Sequence, residues 1–499
     1  MKKIFIFQQR EWYFRIGKYL SKNFLKDGFD LGCLTFKKTT HQDIVLNSSD
    51  YKFMISHDDI VENAPKYIPK DKETLNEICD DLGIKSIWEI VQSARNHVKN
   101  YNKKTSYDFK QNICDEKIIE YFVGLYYTAK KVKEDFEPDI ILLPAFVSLP
   151  HIIFNLYFKK FNIPTIGLMD TKIDKTFIFV SDYLAQDGKF FHFYNQTDIS
   201  KISKKEKKEI DDYYDVFKSR KNRKEIYSYA LAQNDVGIKK EIKILLKTIV
   251  RSIKSLYQKD INKITSIGNT PDNNNFFIIL RDYFFYLNNR LNSKFFEYDN
   301  LDNIKNYVFF PLQNQPEDNI DIMGAKYNNQ IETIRQIAMR LPGNLTLVVK
   351  DHPASLDIRQ TKYLNKIKNI PNVKLIKSDT NMDKILDNAK LVIIISSTVS
   401  FECAMKGISC IQLGEHGLTK ILPNVIFCEN YNDLNEIIDK ILKRKNFDVS
   451  YKAKLDKYIY CAQKIGFDLN YLPIWEKNEK GDMEKIYNKF KSEMEYYNK

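Results

Sequence analysis

Short, almost wholly apolar runs of four or five residues alternate with helical stretches in two separate parts of the chain. A strand that is apolar on both faces has to be covered on both, and a parallel sheet with helices packed on each side does this. The first part opens with Ile4 to Phe7, a helix from about Glu11 to Lys26 closed by Gly28, and a strand from Asp30 to Phe36. Gly28 suits the left-handed position that ends a helix. Residues Tyr51 to Tyr101 read as irregular helix. A helix at Glu116 to Phe136, the run Ile140 to Leu143, a helix at His151 to Phe161 and a strand at Thr165 to Leu168 complete this part.

The alternation restarts with strands at Tyr307 to Phe310, Leu345 to Val349, Val373 to Ile376, Leu391 to Ile395, Ser409 to Leu413 and Val425 to Phe427, with helices between them. At 499 residues the chain exceeds what one core serves. The expected architecture is α/β, with two Rossmann-like domains at 1–195 and 301–450 facing each other across a cleft. A basic helical interdomain region at 196–300 and C-terminal helices at 451–499 complete it.

No run reaches the length of a membrane span, and Met1-Lys2-Lys3 leads directly into a strand, so a cytoplasmic protein is expected. The seven cysteines form no CxxC pair and read as buried free thiols. A net charge of +13 fits nucleic acid, anionic lipid or phosphorylated small molecules as partners. Nucleic acid is disfavoured, because the lysines are not interleaved with a stacking module. Val236 to Lys259 has the profile of an interfacial helix: Ile242, Leu245, Leu246, Ile249, Ile253 and Leu256 share one side, with Lys239, Lys240, Lys243, Lys247, Arg251 and Lys254 around it. An ordinary helix at a domain junction has the same pattern.

In open parallel sheets ligands sit beyond the carboxyl ends of the strands. Three loops of the second half lie there. Ser396-Ser397-Thr398 precede the helix at Val399 to Lys406, whose N-terminus attracts anions. Glu402, one turn further on, either reaches a ribose hydroxyl or is a solvated helical residue. Lys350-Asp351-His352-Pro353 follow the second strand; the proline restricts the histidine backbone, and His352 can donate to a phosphate or a leaving oxygen while Lys350 adds charge. Gln313, Gln315 and Glu317 follow the first strand in a polar, proline-punctuated turn.

Together, Phe309 to Glu317, Lys350 to Pro353, and Ser396 to Thr398 with Glu402 and Gly407 resemble the capsule and surface polysaccharide biosynthesis proteins. That family includes Kdo transferases and is distantly similar to bacterial sialyltransferases. The resemblance covers Tyr307 to Gln412. It implies a two-lobed (GT-B) glycosyltransferase that takes a nucleotide sugar, with a CMP-linked acidic sugar such as Kdo or sialic acid favoured, and builds a surface glycan. His352 and Ser396-Ser397 would hold the donor phosphate, and a glycan or lipid-linked glycan would be the acceptor, reached at the inner face of the cell membrane.

The acidic triplet of the sialyltransferases is missing from the first half. Asp170, after the strand Thr165 to Leu168, is the positional candidate for a catalytic carboxylate, with Asp174 and Asp139 competing. No P-loop, GxGxxG, HExxH or GxSxG occurs, and neither a metal nor a cofactor beyond the nucleotide-sugar co-substrate is implied. The alternatives are a nucleotide-sugar epimerase of the same fold and a non-catalytic basic protein bound to nucleic acid or membrane.

Overall fold

The computed structural model describes residues 2–9, 12–47, 50–94, 113–173, 176–219, 238–257, 264–265, 268–269, 276–355, 359–444, 446–469 and 482–498. In the N-terminal lobe, β1 (Lys3–Gln8), β2 (Asp30–Thr35), β3 (Tyr51–Ser56), β4 (Ile140–Leu142), β5 (Thr165–Asp170) and β6 (Thr176–Val180) are joined by a late strand, β15 (Phe467–Asp468). Their order is β15-β6-β5-β4-β1-β2-β3. The first five strands run parallel, from Lys3↔Asp30 between β1 and β2 to Ile141↔Thr165 between β4 and β5; β6 turns back against β5.

The strand β3 corrects the expectation of irregular helix from Tyr51. An edge strand needs only a partly buried face, so Lys52 and Ser56 break the apolar run that marks the central strands. The helix His57–Glu62 follows without a break and blurs the period.

After a short hairpin (β7, Ile264–Thr265; β8, Gly268–Asn269), the second lobe contains β9 (Tyr307–Pro311), β10 (Thr346–Lys350), β11 (Val373–Ile376), β12 (Leu391–Ile394), β13 (Cys410–Gln412) and β14 (Val425–Phe427). All six are parallel, ordered β11-β10-β9-β12-β13-β14. Each lobe therefore places its strands, counted within the lobe, as 3-2-1-4-5-6. This is the doubly wound order, with a crevice where its direction reverses, between β1 and β4 and between β9 and β12.

The C-terminal segment does not trail the second lobe. Helix Tyr451–Ile465 returns to the first, where the Tyr458 hydroxyl donates to the Thr171 carbonyl at 2.7 Å. The strand β15 then extends the N-terminal sheet beside β6. Helix Met483–Tyr497 packs on helix Lys18–Lys26, with Tyr487 donating to Asp27 at 2.6 Å. The lobes also share apolar contacts, since Ile322, Met323, Phe401 and Leu418 belong to the same buried cluster as the N-terminal core. Among the described residues no helix is long and apolar enough to cross a membrane.

Candidate active site

The switch point of the C-terminal sheet brings the three sequence-selected loops together. Lys350 ends β10, in register with Pro311 of β9, and its carbonyl accepts from the Leu312 N–H at 2.9 Å. Its side chain is buried, yet among the described residues the ammonium has no hydrogen-bond or ion-pair partner, only the longer-range field of Asp351, Glu402 and Asp379. Burial outweighs that field and lowers the lysine pKa to about 8.

Asp351 is buried against Arg359, which bonds both the Asp351 carboxylate and the Gln313 carbonyl. The same carboxylate oxygen accepts from the His352 N–H at 2.8 Å. The His352 Nδ1 accepts from the Ala354 N–H at 3.2 Å, which leaves the ring proton on Nε2. Burial first, then the Arg359 and Lys350 charges, lower the His352 pKa to about 4. At neutral pH His352 is thus an uncharged donor through Nε2–H.

Gln313 and Gln315 form a buried framework. Gln330 accepts from the Gln313 N–H at 2.7 Å and donates to Gln315 at 3.3 Å, and Gln315 donates to Asp321 at 3.0 Å. Glu317 accepts from Asn314 at 2.9 Å, and Ser355 of the histidine loop donates to Asn314 at 2.7 Å. These polar groups shape the loop from within.

The loop after β12 completes the site. Ser396 is fully buried, and its hydroxyl has no partner among the described residues. Ser397 accepts from the Val399 N–H at 3.3 Å, in the manner of a helix cap, whereas Thr398 is exposed and makes no side-chain cap. Glu402 is half-buried, and its charge acts on Lys350.

Of the three carboxylates considered, Asp139 is ruled out by position. It precedes β4 at the amino end of the sheet, away from the cleft, and accepts from the Lys2 and Lys3 N–H groups. Asp174 lies outside the described residues. Asp170 ends β5 at the cleft side, partly exposed; it accepts from the Lys172 N–H at 2.8 Å and lies 3.5 Å from the Lys172 ammonium.

Sequence reading missed four residues of this region. Arg359 and Gln330 occupy unpatterned polar stretches, and only the folded loops show what they join. Lys172 holds a left-handed backbone, at φ +68°, and its charge acts on His416 of the opposite lobe. His416 is fully buried with neither ring nitrogen partnered among the described residues, and burial lowers its pKa to about 3. The seam beside it is tight: the Gly417 N–H donates to the Leu184 carbonyl at 2.9 Å, and Gln186 donates to the Glu415 carbonyl at 3.0 Å.

The fold and site define a two-lobed, Rossmann-like α/β protein with a buried cation and a neutral histidine donor at a strand-end crevice. Residues 271–420, which hold all three loops, match the family described as capsule polysaccharide biosynthesis protein. No curated protein matches the chain. Among solved structures it is similar to UDP-GlcNAc 2-epimerase from Methanocaldococcus jannaschii (12% identity, 93% of this chain and 99% of that one, TM-score 0.25). It is similar also to KpsC, a beta Kdo 2,7 transferase from Thermosulfurimonas dismutans (12% identity, 70% and 88%, TM-score 0.29). A third similarity is to S. aureus MnaA with UDP (10% identity, 98% and 98%, TM-score 0.26). The fold assignment rests on strand order, not on these likenesses.

Proposed function

We propose that this chain is a glycosyltransferase of capsule or surface polysaccharide assembly. The C-terminal lobe holds a nucleotide sugar, and a glycan or lipid-linked glycan approaches from the N-terminal lobe at the inner face of the cell membrane. The observation that carries the reading is Lys350, a buried cation without a counter-anion among the described residues, next to the Nε2–H of His352. An anion entering this crevice supplies the missing charge, in surroundings where a charge pair interacts far more strongly than in water.

One cation and one uncharged donor suit the single phosphodiester of a CMP-sugar better than a diphosphate, and a CMP-linked acidic sugar such as Kdo or sialic acid is therefore favoured. As the glycosidic bond to phosphate breaks, charge grows on the departing phosphate oxygens. Lys350, His352 and the positive end of the dipole of helix Val399–Lys406 stabilise that charge. Closure of the two lobes places the acceptor against the sugar. Asp170, at the cleft end of β5, is the candidate base; to take a proton it has to exchange its contact with Lys172 for the acceptor hydroxyl.

The test incubates the purified protein with CMP- and UDP-sugars, with and without a capsular oligosaccharide acceptor. Nucleotide release that requires acceptor, greatest with a CMP-sugar, supports the reading. Interconversion of the sugar without acceptor would make the protein an epimerase, and failure to consume any donor would remove the enzymatic reading.

A further inference from the structure

The helical region between the lobes is built inside out. Helix Ile238–Tyr257 lies against helix Phe276–Phe295, held by an ion pair between Arg290 and Glu241 at 2.8 Å with the Tyr286 hydroxyl beside the same carboxylate. The side of the first helix that faces its partner carries Glu241, Thr248, Ser252 and Ser255, and both serines are buried. Ile242, Leu245, Leu246, Ile249, Ile253 and Leu256 occupy a different face and are all exposed, Leu246 at 57% and Ile253 at 49%. Lys243, Lys247, Arg251 and Lys254 lie on a third face and are exposed as well. The second helix adds exposed Phe277, Phe284 and Phe295.

A helix that serves only as packing buries its leucines and isoleucines and leaves its serines to water. The reverse arrangement leaves an apolar strip about 21 Å long from Ile242 to Leu256, by the helical rise per residue, open on the surface. The helix is too charged to cross a bilayer.

We infer that the exposed face of residues 238–257 is a docking surface for an anionic lipid bilayer. The apolar strip enters the boundary between headgroups and acyl chains, and the flanking lysines and arginine meet lipid phosphates. Charge selects this occupant over a second copy of the chain: two such faces brought together would oppose four cations to four cations, whereas an anionic surface neutralises them. The phenylalanines of the second helix add apolar contact. This surface gives a physical basis to the membrane location in the proposed function and rests on that reading only for the identity of the acceptor.

The test sediments the full-length protein with vesicles of phosphatidylcholine, alone or mixed with phosphatidylglycerol. Binding is expected with the mixed vesicles and should fall as salt is raised. It should weaken about fivefold or more for each charge reversal among Lys243→Glu, Lys247→Glu, Arg251→Glu and Lys254→Glu. Leu246→Ser with Ile253→Ser should reduce binding to a similar degree without touching the charge. Transfer to a soluble acceptor should stay unchanged in all these variants, because the substituted residues lie outside the donor loops. Equal binding to both vesicle types, or to neither, would overturn the inference, as would a dimer in light scattering that Leu246→Ser dissolves. Loss of transfer by the wild type with vesicle binding intact would defeat the proposed activity and leave the surface standing.

Discussion

A lysine ammonium largely withdrawn from water, with no counter-anion among the described residues, raises the free energy of the folded chain, and Lys350 bears that strain at the end of β10. Its folded pKa, about 8, lies below the unfolded value, so the penalty is full below pH 8 and fades as pH rises toward the range where free lysine titrates. Lys350→Met should therefore raise the unfolding free energy by about 1–3 kcal/mol at neutral pH while weakening nucleotide binding. Denaturant titration and calorimetry on one preparation check both signs; a destabilised variant would mean that the ammonium has a protein partner. In the wild type, nucleotide affinity should hold through neutral pH and decline above about pH 8 as Lys350 loses its proton. His352 is already neutral there and titrates only near pH 4. His352→Ala should reduce transfer by about 10²- to 10³-fold, the usual effect of losing one preorganised donor, with little change in melting temperature. Single-turnover transfer beside a thermal melt measures this, and near-wild-type turnover would remove the histidine from the donor site. Lys350, His352 and the serines were readable in the sequence because each lies at or just beyond the carboxyl end of a strand. Arg359 was not: nothing in a run of polar residues marks the one that turns inward to join Asp351 to the Gln313 carbonyl.

The elements that carry these residues divide the work between support and contact. At the start of helix Val399–Lys406, Ser397 satisfies the Val399 N–H while Ser396 keeps a buried hydroxyl with no partner among the described residues. Ser397→Ala should thus cost about 1 kcal/mol of stability as a lost cap. Ser396→Ala should leave the unliganded fold as stable or slightly more so, because it removes an unsatisfied group. The double variant should weaken nucleotide binding by about 1–3 kcal/mol, measured by calorimetry with free CMP. An unchanged dissociation constant would leave both serines as structural groups. Most central strands were legible because burial on both faces demands an apolar run. The edge strand Tyr51–Ser56, half-exposed and mixed in composition, gave no such signal. Amphipathicity marked the helix at 238–257, but which of its faces is covered depends on a neighbour that the pattern does not name.

At the scale of the whole molecule, two Rossmann-like lobes follow from the repeated alternation of strand and helix, whereas their joining depends on contacts between distant residues. Nothing local announces that the two-residue strand β15 pairs with β6, or that helix Met483–Tyr497 returns to the helix at Lys18–Lys26. The seam between the lobes is similarly hidden, and Gly417 makes it possible by its lack of a side chain, as Gly414 allows a close approach within the C-terminal lobe. A Cβ on Gly414 would stand 2.7 Å from the Ile395 carbonyl oxygen and 2.8 Å from that of Met323; one on Gly417 would stand 2.0 Å from the Ala185 carbonyl oxygen and 2.8 Å from the Gln186 Cα. The atoms opposing Gly417 are backbone of the other lobe, which no rotamer change can move aside. Gly417→Ala should therefore break the Gly417–Leu184 hydrogen bond and part the lobes at this edge. Because Lys350, His352 and the serines all belong to the C-terminal lobe, affinity for the free nucleotide should persist. Transfer, which needs the acceptor pressed against the sugar, should fall by at least an order of magnitude. Small-angle scattering should show a larger radius of gyration than the wild type. Should only residues 183–187 yield, scattering and transfer would both stay at wild-type values, and this seam would not be what holds the lobes in their working arrangement.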